Sequence, residues 1–480
     1  MALIPPKNNF DVQTGLITES AVSKTKFPEN AVSESINFHF DKIGCATLRK
    51  GTTLVGNAIS GDILGLYNFR DSGSGTNNQL ISVNGSIVYY LSGTTWTSKR
   101  TGLTSGSKAR FTTFLDFVWM VNGTEATAIW NGDPLSGFVT SGNAADAPTG
   151  KYIENFRSRV WIAGNSTYPD RLFFSSLPTK VTTPVVTWDT SVTTGYWIDI
   201  SPSDGENITG LKRDKNALLV FKPNNLYRVY SISESEPDPK INIGTYSQES
   251  IVRTKDGVYF HHSTGFYKYA DGNVQEISKP IIDIVDSITL ANFSKVCGLQ
   301  DGDHICWAVG NVTYKGVTYT NMVVRYTIST QGWTHYQYPT QFLVSADYND
   351  DSTLFKLIGD DSGNILKINV GKTDNGSSIF YSLIHPWTNL DGFLSTEKNL
   401  NKALFSHLGG AGSNIQYQVE NDEVNNWSKS LGQLKNGDTG FDNAAIAKEM
   451  RFRIAGASVG EPFEYYGYEI FRADNKLMSY

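Results

Sequence analysis

Residues able to do chemistry are few and widely spaced. The chain of 480 residues holds only seven His. His261 and His262 stand side by side in what reads as a strand, where successive side chains point to opposite faces. They cannot easily ligate one metal, and they read as a solvated pair. His39, His304, His335, His385 and His407 are scattered, with no HExxH-type spacing. Carboxylates cluster at Asp347–Asp351, Asp360-Asp361 and Asp301–Asp303. Carboxylates at alternate positions suit calcium, but no Glu lies downstream of Asp347-Tyr348-Asn349-Asp350-Asp351 at the distance needed for bidentate closure. Asn and Asp in such runs cap hairpin turns and tolerate left-handed backbone, which is the reading adopted for all three clusters.

Enzyme motifs are missing as well. The sialidase turn, Ser-x-Asp-x-Gly-x-x-Trp, is approached only by Ser201-Pro202-Ser203-Asp204-Gly205 and Thr254-Lys255-Asp256-Gly257, and neither fits. No GxSxG elbow, P-loop or post-strand GxGxxG occurs. Tyr465-Tyr466-Gly467-Tyr468 could stack on a sugar, but alternation in a strand reads as core and edge. Cys45, Cys297 and Cys306 are too few and odd in number for a disulfide framework. Cys297 and Cys306 could meet across a hairpin, yet read as small apolar strand residues. No catalytic, cofactor-binding or metal-binding residue is therefore nominated, and no cofactor is expected.

Composition describes the frame that would hold any site. Aromatics reach 12%, charged residues only 18%, and Gly numbers 44. That mix excludes a disordered chain and points to many short strands and tight turns. The formal net charge is −6, and Lys and Arg form no long run, which disfavours sequence-specific nucleic-acid binding. The opening MALIPPKNNF shows no secretory signal, and no apolar run is long enough to span a bilayer.

Hairpin signals recur along the chain. Ser250–Ile277 parses as four strands split at Lys-Asp-Gly, Ser-Thr-Gly and Asp-Gly-Asn turns. Similar units occupy Gln79–Lys99, Ala109–Trp130, Lys151–Ser175, Ile208–Ser231, Lys295–Tyr338 and Phe342–Asn369. A lone helix is expected over Lys279–Ala291, with Ile281, Ile282, Ile284, Val285 and Ile288 on one face. Meanders recurring at roughly forty to fifty residues suit a propeller, whose blades cover each other's faces. The expected fold is all-β: a six- or seven-bladed β-propeller over 55–370, preferred to an array of double-sheet sandwiches. A linker at Gly371–Ser377 leads to a C-terminal β-sandwich-like domain over 371–480, with strands at Ile379–Leu383, Lys402–His407, Ile415–Glu420, Glu449–Ala455 and Phe463–Phe471. Asn425–Asn443 reads as a Gly/Asn-rich connection. Residues 1–54 comprise the N-terminal arm and first strands. The first thirty-five or so read as irregular, anchored by Phe10, Leu16, Ile17 and Phe27, and Ser35–Phe40 as a strand.

Four passages carry a family likeness. Asn37-Phe38-His39-Phe40-Asp41, Gly44 and Leu48-Arg49-Lys50-Gly51 follow an "N-[FV]-x-[FL]-D-x-x-G-x-[LAS]-x-[KR]-R-x-G" passage, with Lys50 where Pro is usual. Pro169-Asp170-Arg171-Leu172-Phe173-Phe174-Ser175 is similar to "PDRLYFS", and Trp188-Asp189 and Ile198-Asp199-Ile200 follow it. Ile208-Thr209-Gly210-Leu211, Leu218-Leu219-Val220-Phe221 and Leu226-Tyr227-Arg228-Val229 resemble an "ITGL…LLVFK…IYxL" blade. Met450–Ile454 followed by Phe463–Ile470 resembles a terminal strand pair. In this order they resemble the tail hub (packaged-DNA stabilisation) and tail nozzle (tail tubular protein B-like) proteins of short-tailed bacteriophages.

The resemblance implies a structural virion protein of the tail, assembled in the host bacterial cytoplasm. It implies a ring, hexameric by analogy, below the portal or adaptor proteins and meeting other tail, fibre or needle proteins. DNA would be retained and then passed through its conduit without sequence specificity. Apart from the resemblance, isolated apolar anchors spaced along polar chain suit an extended arm, so the first thirty-five residues are expected to pack on a neighbouring subunit or the adaptor ring. The alternative is a glycan-binding or glycan-degrading propeller, such as a phage depolymerase or lectin. A surface adhesin is disfavoured by the missing signal peptide.

Overall fold

The computed structural model describes the chain except residues 1–6, 10–13, 19–26, 29, 43, 73–77, 182, 192, 233–240, 351, 389–396, 420–421, 423–425, 459–461 and 477–480; for 7–9, 397–401, 443–446 and 471–476 it describes the backbone only. Among the described residues, strands dominate and helices are confined to single turns.

Seven small antiparallel sheets follow one another between residues 52 and 368. Their first strands are Ile63–Arg70, Arg110–Phe114, Tyr152–Phe156, Gly210–Arg213, Val252–Arg253, Cys297–Asp301 and Phe342–Asn349. These lie side by side in sequence order, and Phe342–Asn349 returns to Ile63–Arg70. The fourth and fifth sheets meet where Gln248 bonds both the N–H and the C=O of Leu211. The sheets thus close a ring of propeller type, with first strands innermost. The seventh sheet, completed by Leu354–Asp360 and Ile365–Ile368, takes its outer strand from Thr52–Leu54, far upstream.

The second strands of the sheets are largely covered on both faces. Leu218–Phe221 and Val258–His262 are buried throughout. Burial on two faces explains why such strands read as continuous apolar runs rather than alternating ones. Two-residue turns join first to second strands at Leu115-Asp116 and Arg157-Ser158, all four residues at positive φ. This is the backbone that matches the twist of a two-residue hairpin.

The same burial corrects one expectation. His261 and His262 are not a solvated pair but lie inside the fold. His261 packs against Phe266 and Phe293. The helix expected over Lys279–Ala291 is broken into a 3-10 turn, Lys279–Ile281, and two short helices, Ile282–Asp286 and Leu290–Phe293. Extended backbone at Thr289 interrupts it, while Ile281, Ile284, Val285 and Ile288 are buried as the periodicity requires. Cys297 stands opposite Ala308 and Cys306 opposite Leu299, and both thiols are free. Burial pushes each up to about 12.

The sixth sheet does not stop at its fourth strand, Trp333–Gln337. It continues through Glu34–Ile36 into Ile379–Ile384, Met450–Ser458, Asn414–Val419 and Lys429–Gln433. A second sheet of Thr439–Ala447, Glu397–Leu408, Glu464–Lys476, Ala46–Leu48 and Phe38–His39 faces it, with Lys7–Asn9 also pairing Glu464–Lys476. Phe38, Phe405, Phe452, Tyr468, Trp307 and Trp333 belong to one core. The described part of the N-terminal region is therefore woven into its own chain: Leu16, Ala31, Val32 and Ile36 are buried there. Ile17 and Phe27 are half-buried, and Phe10 lies outside the described residues. Lys429–Gln433 and Thr439–Ala447 are strands inside the stretch Asn425–Asn443 that reads as a connection.

One buried polar junction ties these parts together. Asn37, at φ 65, accepts on Oδ1 from Arg49 Nε (2.8 Å) and Gln337 N (2.9 Å), and donates from Nδ2 to Phe380 O (2.6 Å). Arg49 forms a bidentate pair with Asp374 (2.8 and 2.6 Å) and also donates to the carbonyls of Lys50 and Gln337. All five guanidinium donors are then used. The guanidinium lies over the Tyr338 ring at 4.0 Å. Gly51 has no room for a Cβ, which would meet Thr373 O at 1.9 Å. The segment Gly371–Ser377 is thus a clamp rather than a slack linker.

Two outcomes follow from this packing. Arg49→Met or Asp374→Leu alone leaves a buried, unpaired charge and should cost ~3–5 kcal/mol in urea unfolding, whereas the double variant should cost clearly less than the sum. Burial also pushes His261, His335 and His385 down to about 3. The unfolded chain protonates these histidines near pH 6.5 and the fold refuses the protons, so stability should fall as pH drops below 6.5 towards 3. Three such groups give a slope of roughly 4 kcal/mol per pH unit. His335→Phe, between Tyr314 and Tyr319, should lower the slope by about one proton in denaturation measured across pH.

Candidate functional site: the central channel

The ring of first strands encloses a channel of about 620 Å³ that every one of the seven sheets helps to line. Tyr67 and Phe111 stack on one another along its wall, with ring centroids 5.6 Å apart. Arg110, Lys212, Arg213 and Arg253 face it, together with Glu154, Glu249 and Asp347.

Each of those carboxylates has a cation beside it. Glu249 is bound by Arg110 (2.8 Å) and Lys108 (3.4 Å). Burial works to raise its pKa, yet the two cations hold it at about 2. Glu154 lies 4.0 Å from Arg213, and Asp347 pairs with Lys356 at 2.5 Å. Most of the amide side chains on the wall are engaged too: Gln248 holds Leu211, and Asn155 bonds Thr113 O and Arg213.

At one end the channel opens into a mouth of about 660 Å³ over the second to fifth sheets. It is lined by Phe114, Phe156, Arg157, Arg213, Asp214, Lys215 and Arg253 among others. Four cations there meet one carboxylate. They come from strand ends and turns of three different sheets, so no local sequence signal marks them.

Of the acidic clusters, Asp350, Asp360 and Asp303 follow turn chemistry, whereas Asp347 lies within the strand Phe342–Asn349 and pairs with Lys356 on the channel wall. Asp350 caps Ser352 and Thr353, Asp360 caps Ser362 and Asn364, and Asp303 accepts from Ser329 N. Asp351 lies outside the described residues. Tyr465 and Tyr468 are core residues, while Tyr466 is half-buried and donates to Glu464. Of the remaining histidines, His407 is held by Gly409 O and Thr439. Among the described residues no three His, Cys, Asp or Glu side chains are placed to hold a metal.

The passages that carry the family likeness meet inside the fold. Lys222, with no exposed surface, spends its ammonium on Asp170 (2.8 Å), Asp204 (2.7 Å) and Ser201 O (3.2 Å). The Pro169–Ser175 passage is thereby locked to the blade of Ile208–Val229. Beside it Arg171 covers the Trp197 ring at 3.6 Å and bonds Asp199. Asp41 receives both guanidinium nitrogens of Arg325 (2.9 and 2.7 Å) beside His304, in a cavity of about 320 Å³ shared with His39 and Cys306. The hydrogen bonds from His304 and Arg325 outweigh burial and hold Asp41 well below the usual carboxylate range.

No helix among the described residues is long and apolar enough to cross a membrane. No family model and no curated protein matches the chain. Solved structures with some likeness include the extracellular domain of a hybrid two-component system protein from B. thetaiotaomicron (13% identity, 70% of this chain and 44% of that one, TM-score 0.44). YCF48 from Cyanidioschyzon merolae is another (11%, 66% and 98%, 0.38), and the computationally designed Ika8 protein a third (10%, 67% and 100%, 0.40). Similarity at this level carries no argument about function.

Proposed function

We propose that this protein is a structural component of a short-tailed phage tail, of the hub or nozzle type. In this reading the seven sheets are seven propeller blades, the C-terminal sheets form a sandwich, and copies join as a ring, six by analogy, below the portal or adaptor. The observation that carries the reading is the role of the family-like residues. Asn37, Arg49, Asp170 and Lys222 are spent on buried joints of the scaffold, so the likeness concerns a shape to be assembled and not a cleft.

The channel adds a constraint. A duplex whose major groove alone is about 12 Å wide does not enter a space of about 620 Å³. DNA would therefore pass between copies, and the propeller axis would not be the conduit.

Negative-stain electron microscopy of the purified chain should show closed rings, six subunits each. Particles that stay monomeric at every concentration and in the presence of the adaptor would end this reading. The rival reading, a glycan-active propeller, is favoured by one feature, the cation-rich mouth. A retaining glycosidase needs two carboxyl groups about 5 Å apart, so a screen against capsular and cell-wall polysaccharides is the second test. No saccharide release is expected; release that disappears in Glu249→Gln or Glu154→Gln would install the depolymerase instead.

A further inference from the structure

The chain as a whole is acidic, with a formal charge of −6. The mouth of the channel is not. Arg157, Arg213, Lys215 and Arg253 surround it against Asp214 alone. Lys212 and Arg253 have no ion-pair or hydrogen-bond partner among the described residues. Lys215 has only an exposed partner, Asp271, at 3.8 Å. Deeper in, Lys108 and Arg110 share the single carboxylate Glu249, which leaves one positive charge uncompensated.

Arg157 is held in place at a cost. It sits at φ 46 in a two-residue turn, where Asn or Gly is the unstrained choice. Its guanidinium rests near the Phe156 ring, 5.4 Å from the centroid. The turn is the one the hairpin twist demands, as at Leu115-Asp116, and it places the Arg157 side chain at the rim of the cavity. Low-dielectric walls around a concavity of one sign focus the field and concentrate counter-ions.

We infer that this mouth is a binding site for an anion, a phosphate or carboxylate group carried on a stem slim enough to reach the channel. Arg213 and Arg253 offer planar forks suited to either oxyanion. Lys212 stands in the wall beneath them, and the Lys108–Arg110 excess draws the charge inward. The inference is independent of the virion reading, because Lys212, Arg157 and Arg253 take no part in the scaffold joints, while Arg213 is shared with Asn155 and Glu154.

The test is calorimetric titration of the full chain with inorganic tripolyphosphate and, separately, with citrate, at low and at high salt. At least one probe should bind at low salt and weaken as salt rises. Which of the two binds distinguishes a phosphate from a carboxylate site. Arg253→Glu and Lys212→Glu should each weaken binding by about tenfold or more, the lower end of what focusing in a charged cleft provides. Lys372→Glu, at an exposed position away from the mouth, should bind as the unaltered chain does. Thermal melts of all three variants check that the fold is intact. Failure of both probes to bind at low salt overturns the inference, and so does binding unchanged in Arg253→Glu and Lys212→Glu variants that melt normally.

Discussion

The Arg49–Asp374 pair is the point on which the rest of the architecture hangs. Arg49 precedes the strand Thr52–Leu54 that closes the ring, and Asp374 follows the last strand of that ring. The Asn37 side chain, bonded to Arg49, also reaches Gln337 in the sixth sheet and Phe380 in the sandwich. Two chain ends leaving a closed ring must be held near each other, or the outer strand of the seventh sheet is free to peel. A buried, fully bonded guanidinium does this with a fixed direction that an apolar contact lacks. Its desolvation is offset only because every donor is matched, which is why the surrounding residues admit so little change.

Closure also dictates what the strands are made of. A blade between two blades has no wet face, so its middle strands lose the alternation typical of antiparallel sheets. The polar residues found there must be neutral or fully paired. His261 takes the first course and Lys222 the second. The imidazole rings of His261 and His335 have no hydrogen-bond partner among the described residues, so they behave as flat apolar residues near neutral pH and become costly when acid would charge them. Here packing decides protonation: the adjacent His261 and His262 that read as a solvated pair are enclosed by the fold.

What could be read from the residues was what is local. Gly, Asn and Asp at hairpin turns located most strands of the ring, because a two- or three-residue turn is encoded where it occurs. The long hairpin of His304–Tyr314 and Val317–Thr327, turning at Lys315-Gly316, is harder to read within the unit Lys295–Tyr338, since eleven-residue strands exceed the usual length. Partners distant in sequence left no mark: nothing in Thr52–Leu54 names Ile365–Ile368, and nothing in Glu34–Ile36 names both Trp333–Gln337 and Ile379–Ile384. The strands Lys429–Gln433 and Thr439–Ala447 were hidden by Gly and Asn, residues depleted in strands, and exist because a long neighbour, Glu397–Leu408, pairs with the second of them. The channel mouth was invisible for the same reason, as Arg157, Arg213 and Arg253 belong to three different sheets.

Scaffold and ligand are therefore written in different residues. Asn37, Arg49 and Lys222 are buried, Asp170 is half-buried, and all four are held by hydrogen bonds between parts of the scaffold. Lys212, Arg157 and Arg253 lie outside those joints and could change sign without disturbing a strand. A likeness carried by the first group constrains the shape and leaves the mouth undetermined. Two chains sharing every joint could present opposite charges at the channel, so the chemistry of the mouth must be judged from its own side chains. Here these are a surplus of cations in an acidic protein, and the surplus follows from no requirement of the fold.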